Sequence, residues 1–301
     1  MRKKRGRRYW RNIAIASMLA ILAGVLFFFY VGHPFFLSDG YTHPKRLAVC
    51  CETPADRGLS YEDASFVTPD GLTLRGWYIH SKNDAAVVLL HGLASNRLSL
   101  LDVAAALARH GYGVLLFDLR AHGDSEGELL PFGGNEVEDV RAAVDYLQRR
   151  ADVDSERIGA LGWSLGAQTS LLAAARDDAI KAVVADAPCC TTFQDWPPPR
   201  NLGEALYVPY DLVFYQFLKW RTGVTEPVSV RDAMGRIAPR PILLIGGGIE
   251  QYRLEYLLAA AGEPKSLWII PEAGHIQGFS LRPQEYEERM ARFFDQALLG
   301  E

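Results

Sequence analysis

"RIGALGWSLGAQTSLL", residues 157–172, joins a short apolar run to one rich in alanine and leucine through Gly162-Trp163-Ser164-Leu165-Gly166. The first run suits a strand covered on both faces, and the second suits a helix. A G-x-S-x-G pattern is a weak signal alone, but between a strand and a helix it acquires a mechanical meaning. The two glycines permit a tight turn that lifts Ser164 above a sheet, and the turn leaves the Leu165 amide at a helix N-terminus. A mostly parallel sheet flanked by helices presents such a turn, so the flanking sequence should alternate strands with helices.

It does. "ASFVTPDGLTLRGWYIH" (64–80) alternates around Pro-Asp-Gly, as a β-hairpin does. "AAVVLLHG" (85–92) and "YGVLLFDLR" (112–120) are strand-like runs separated by the helical "RLSLLDVAAALARHG". An amphipathic helix follows at 135–150, with Asn135 as its expected cap. Beyond residue 172 come three further strands, "IKAVVADAP", "RPILLIGG" and "SLWIIPEA", and a closing helix over 283–299. This rhythm predicts an α/β fold whose largely parallel sheet is covered by helices on both faces. Residues 191–239 break it. They are too long for a structureless loop and rich in aromatics (Trp196, Tyr207, Tyr210, Phe214 and Trp220 among them), which predicts a small helical cap.

Of 301 residues, 49% are hydrophobic and 23% charged, an ordinary balance for a chain with one large core. Seven of the 32 basic residues fall within residues 1–11, leaving 25 to face 36 acidic ones. A basic tip on an acidic body argues against nucleic-acid binding. The tip precedes an uncharged run over 13–31, long enough as a helix to cross a hydrocarbon core of ~30 Å. Tyr9, Trp10 and Tyr30 flank it as interfacial aromatics do. The run exceeds the apolar stretch of a cleaved signal peptide, and no small-x-small cleavage site follows. Residues 1–32 therefore read as an uncleaved anchor, with the N-terminus cytoplasmic by the positive-inside rule and the body on the outer side. Residues 33–60 read as a linker, and 61–301 as the folded domain. The four cysteines form two adjacent pairs, Cys50-Cys51 and Cys189-Cys190, without metal-ligand spacing. An outward-facing domain leaves a bridge between the pairs and buried free thiols both open.

A serine needs a base to become a nucleophile. Of the seven histidines, His275 follows the last strand and precedes the last helix, on the sheet edge where the Ser164 turn emerges. His122 is the main rival, and His91 reads as structural. The acid that orients the base is sought after the next-to-last strand, where Glu250 stands, with Glu255 and Asp186 as alternatives. Leu93 follows the first core strand, so its amide joins that of Leu165 as an expected oxyanion donor.

"VVLLHGLASNR", "GYGVLLFDLRAHGDSEGE", "VDSERIGALGWSLGA", "RPILLIGGG" and "EAGH" occur in an order and spacing that resemble the α/β-hydrolase superfamily. Within it the chain is similar to membrane-anchored bacterial serine hydrolases of the serine aminopeptidase and dienelactone-hydrolase-like group. The resemblance implies a serine–acid–histidine triad and no cofactor. It departs from the family at the acid loop, usually His-Gly-x-x-Asp, here Gly246-Gly247-Gly248-Ile249-Glu250. The expected function is cleavage of a small carboxylic ester through an acyl-enzyme on Ser164, His275 and Glu250. Peptidase or acyltransferase chemistry on the same residues, and a non-catalytic binding domain, are the alternatives. No metal site is expected.

Overall fold

The computed structural model describes residues 2–300, with side chains from residue 6, so the basic side chains at 2–5 lie outside the described residues. A long helix leads the chain. Helix α1 (Arg2–Phe27) passes through one π-helical turn (Phe28–Gly32) into α2 (His33–Thr42) without a break. The stretch Gly6–Thr42 is long and apolar enough to cross a membrane, and the window that qualifies it has no buried residue.

Eight strands form one sheet: β1 (Glu62–Val67), β2 (Thr73–Ile79), β3 (Ala86–Leu90), β4 (Gly113–Phe117), β5 (Ile158–Trp163), β6 (Ile180–Asp186), β7 (Ile242–Gly247) and β8 (Lys265–Ile270). Their spatial order is β1-β2-β4-β3-β5-β6-β7-β8. The hairpin β1–β2 and the β2–β4 pair are antiparallel, and every other pairing is parallel. Between β3 and β5 the winding direction reverses, which opens a crevice at their carboxyl ends.

The remaining helices are α3 (Leu101–Arg109), α4 (Glu136–Gln148), α5 (Leu165–Ala174), α6 (Leu202–Thr222), α7 (Val230–Met234), α8 (Gln251–Leu258), α9 (Gly278–Leu281) and α10 (Pro283–Phe294). Alternate side chains of each core strand feed opposite layers. Val88 and Leu90 of β3 join Val140 and Val144 of α4 and Leu171 of α5. Val87 and Leu89 join Val103 and Leu107 of α3 and Met290 and Phe294 of α10. Such two-sided burial is why these strands read as continuous apolar runs.

Three expectations change. Residues 33–60 are not wholly a linker, because α2 extends the leading helix to Thr42 and packs along α6. Within the expected cap, 191–239, α7 packs on α5 and α8 with Val230, Ala233 and Met234 fully buried, so that part belongs to the body. Asn135 makes no side-chain cap to α4; the Glu136 carboxylate accepts from the Gly133 and Gly134 amides instead. The four cysteines are free thiols, Cys190 buried and Cys50 and Cys51 exposed.

Two glycines make the serine turn possible. A Cβ at Gly162 would stand 2.2 Å from the Gly166 carbonyl, and one at Gly166 would stand 2.1 Å from the Leu90 carbonyl oxygen. Both clashes are with backbone, which no rotamer change relieves. Gly166→Ala is expected to destabilise the fold by about 3 kcal/mol or more, at the upper end of overpacking costs. A lower urea midpoint at unchanged slope is the readout.

Candidate active site

Four loops converge at the carboxyl edge of the sheet. Ser164 occupies the turn between β5 and α5 with φ 51° and ψ −109°, a left-handed conformation rarely adopted by a residue with a side chain. Its amide donates to the Asp186 carbonyl at 2.9 Å, which ties the turn to the end of β6. Gly92 lies against it: a Cβ there would come 3.6 Å from the Ser164 Cβ.

The structure brings Ser164, His275 and Glu250 together. His275 Nε2 is 2.8 Å from Ser164 Oγ, and His275 Nδ1 is 2.8 Å from Glu250 Oε1. The histidine loop and the acid loop meet through bare backbone. A Cβ at Gly247 would sit 2.2 Å from the Ala273 carbonyl oxygen, and one at Gly248 2.5 Å from that of Pro271. The triple glycine that replaces the usual His-Gly thus lets the two loops touch. It also brings the longer glutamate side chain within reach of the imidazole.

Glu250 is buried and well held. Its Oε2 accepts from the Gly247 amide at 3.1 Å, and its Oε1 accepts from Arg253 Nη2 at 2.9 Å. Burial alone would raise its pKa, but the His275 hydrogen bond, the Arg253 charge and the Gly247 amide outweigh burial and hold it below the usual glutamate value. The His275 pKa is raised above its ordinary value, first by the hydrogen bond to Glu250, against partial burial. The imidazole therefore holds a proton more firmly than a free one.

The carboxylates of the alternative acids have other partners. Asp186 is buried and accepts from the Tyr286 hydroxyl at 3.0 Å, and burial pushes its pKa up to about 7. Glu255 is exposed and accepts from Gln251 at 2.7 Å. Neither is hydrogen-bonded to His275 among the described residues. His122 is not near Ser164 through any described hydrogen bond. Its Nε2 accepts from the Ala94 amide at 3.2 Å, and burial, with His91 beside it, lowers its pKa to about 4. His91 Nε2 accepts from the Leu119 amide at 3.1 Å. These two neutral imidazoles brace the loop that carries Leu93. The Leu165 amide is the first of α5, a position that intrahelical bonding leaves without an acceptor.

Two contributors escaped the sequence reading. Arg253 follows Glu250 at i+3, a spacing that could have flagged it. Its guanidinium also lies 5.6 Å from the Trp196 ring. The Asp118–Arg97 ion pair at 2.7 Å anchors the loop after β4 and has no local sequence signal. Among the described residues, no group of His, Cys, Asp and Glu is placed to hold a metal ion.

A sheet wound this way, with a serine turn after β5 and the acid and histidine after β7 and β8, defines an α/β hydrolase, and the chain belongs to that superfamily. The sequence profile described as alpha/beta hydrolase fold matches residues 85–208. The uncharacterized protein Rv2307c of Mycobacterium tuberculosis is 30% identical over 303 residues, covering 97% of this chain and 98% of that protein. The Pyrococcus furiosus esterase Pf2001 superposes with a TM-score of 0.67 at 29% identity, covering 86% of this chain and 98% of that one. Thiohydrolase aneE of Aspergillus aculeatus is 34% identical over 154 residues, 49% of this chain and 48% of its own. Family and neighbours together support hydrolase activity on a small molecule.

Proposed function

We propose that the protein is a serine hydrolase that cleaves carboxylic esters through an acyl-enzyme. The observation that carries this reading is the relay Glu250–His275–Ser164, with both links at 2.8 Å. Ser164 Oγ attacks the acyl carbon while His275 Nε2 takes its proton. The amides of Leu93 and Leu165 donate to the oxyanion, each such donor typically contributing ~2.7–4 kcal/mol. His275 then protonates the departing alcohol, and water repeats the sequence to release the acid, with Glu250 holding the imidazolium throughout. The similarity to an esterase supports the ester; the similarity to a thiohydrolase favours thioesters as a second reading.

In this reading residues 13–31 form a single membrane span, with the N-terminus cytoplasmic and the catalytic domain on the outer side. Mean hydropathy of 2.5 in the qualifying window and the basic residues before it support that placement. Helix α6 serves as the cap.

The test is a substrate panel on the full-length protein in detergent micelles: nitrophenyl esters of rising chain length, matched thioesters and aminoacyl amides. Ester turnover with a burst of one alcohol per enzyme is expected. Faster cleavage of amides than esters would reject the assignment.

A further inference from the structure

Helix α6 and the end of the leading helix run side by side in the same direction. The Tyr30 hydroxyl donates to the Leu206 carbonyl at 3.0 Å, and His33 Nδ1 lies 2.6 Å from the Tyr210 hydroxyl. The Phe29 ring meets those of Tyr207 and Tyr210 at 5.9 and 5.4 Å. Further along, Phe35 meets Phe217 at 5.3 Å and Arg221 pairs with Asp39 at 2.7 Å. Residue numbers rise together on the two helices, so the α6 N-terminus points back along α1.

That direction fixes depth. Phe29 and Tyr30 belong to the apolar run of residues 13–31. Leu206 is bonded to Tyr30, and Leu202 lies four residues further back, ~6 Å deeper along the helix. Leu202 and Leu206 share one helix face at i and i+4, with Tyr207 beside them. They are 77%, 54% and 55% exposed. With the proposed anchor in a bilayer, the turns of α6 beside Phe29 and Tyr30 lie at its outer boundary. Glu204, on the same turns, is paired with Arg200 at 2.7 Å, so the charges on these turns offset each other.

The same end of α6 adjoins the candidate active site. Arg253 bonds Glu250 and faces the Trp196 ring. Tyr252 donates to the Pro198 carbonyl at 3.0 Å, and the Arg200 guanidinium lies 4.3 Å from the Tyr252 ring. Residues 196–201 thus form a strip from the acid to Leu202. Ile249, next to Glu250, is 82% exposed on this rim.

We infer that the first two turns of α6 sit in the interface of the bilayer that α1 crosses, and that the site takes amphiphilic esters whose acyl chains reside in that bilayer. The inference rests on the proposed ester hydrolysis and on the proposed anchor. The bond chemistry is unchanged: the ester C–O bond breaks, Ser164 carries the acyl group, and water releases it as a fatty acid.

Two measurements on the full chain, reconstituted into phosphatidylethanolamine–phosphatidylglycerol vesicles, test it. Benzoylphenylalanine is placed at 206, or at the exposed position 178 on the opposite edge of the sheet, and irradiated. Phospholipid adducts at 206 and none at 178 are expected; adducts to a second copy of the chain, or none, would overturn bilayer contact. The double variant Leu202→Glu/Leu206→Glu should then lose about tenfold or more of its turnover on a vesicle-embedded fluorogenic diacyl ester. Its turnover of a soluble short-chain ester should stay within about twofold, since both positions are exposed. Equal losses on both substrates, or none on the embedded one, would overturn the substrate class. A wild-type chain inert towards both esters, yet giving lipid adducts at 206, would reject the ester-hydrolase reading and not the bilayer contact.

Discussion

Ser164→Ala should abolish covalent labelling by a fluorophosphonate probe and lower kcat by about five to six orders of magnitude. The magnitude follows from the way a nucleophile and its base act as one unit: without the oxygen, the aligned imidazole has no proton to take. For the same reason His275→Ala should cost about as much, and the double variant little more than either single one. Stability should not follow activity. The Ser164 side chain is half-buried, and its hydroxyl bonds only to the exposed imidazole among the described residues. The melting temperature of Ser164→Ala should therefore stay near that of the wild type, measured by calorimetry. A variant that retained labelling would place the reactive nucleophile elsewhere.

Glu250→Gln should lower kcat by about three to four orders of magnitude, the range seen when the orienting carboxylate of a triad becomes an amide. The pH profile supplies a second, signed signature. The Glu250 carboxylate raises the His275 pKa through their hydrogen bond. Only the neutral imidazole can accept the serine proton, so wild-type kcat/KM should climb through an ionisation above the ordinary histidine value. With a neutral amide at 250 the protonated imidazole loses its stabiliser, and the acidic limb of the much weaker residual activity should shift to lower pH. A full pH–rate profile of both proteins measures this. An unshifted limb would mean that another acid, Asp186 or Glu255, governs the imidazole.

The parallel sheet was legible because its strands are buried on both faces and so appear as short apolar runs ending in glycine or a polar residue. That Ser164, Glu250 and His275 would meet was legible for a related reason: each follows a strand, and parallel strands deliver their following loops to one edge. What stayed hidden depends on distant partners. "HPFFLSDGYT" looks like a linker because of Pro34 and Gly40, yet it is helical because Phe35 and Tyr41 pack on Phe217 and Phe214 of α6. Those aromatics hold the two helices together. His122, next to glycine in a polar loop, carries no local sign that its ring receives the Ala94 amide. Arg253 stands at i+3 from Glu250, a spacing visible in the sequence, but its role depends on the helix that only the fold supplies.

The backbone at Ser164 holds φ 51° and ψ −109° in a residue with a side chain, a conformation that costs about 1–3 kcal/mol and persists only where surroundings enforce it. Here the enforcement comes from the Asp186 carbonyl bound to its amide and from the close seat of α5 on β3 that Gly166 permits. For folding alone, glycine would be the better residue at 164, since it adopts such a conformation with little penalty. If Ser164 is the nucleophile proposed above, selection for chemistry and selection for thermal robustness are opposed at this one position. The chain is less stable than its architecture allows, and the deficit is concentrated in the backbone of the proposed nucleophile.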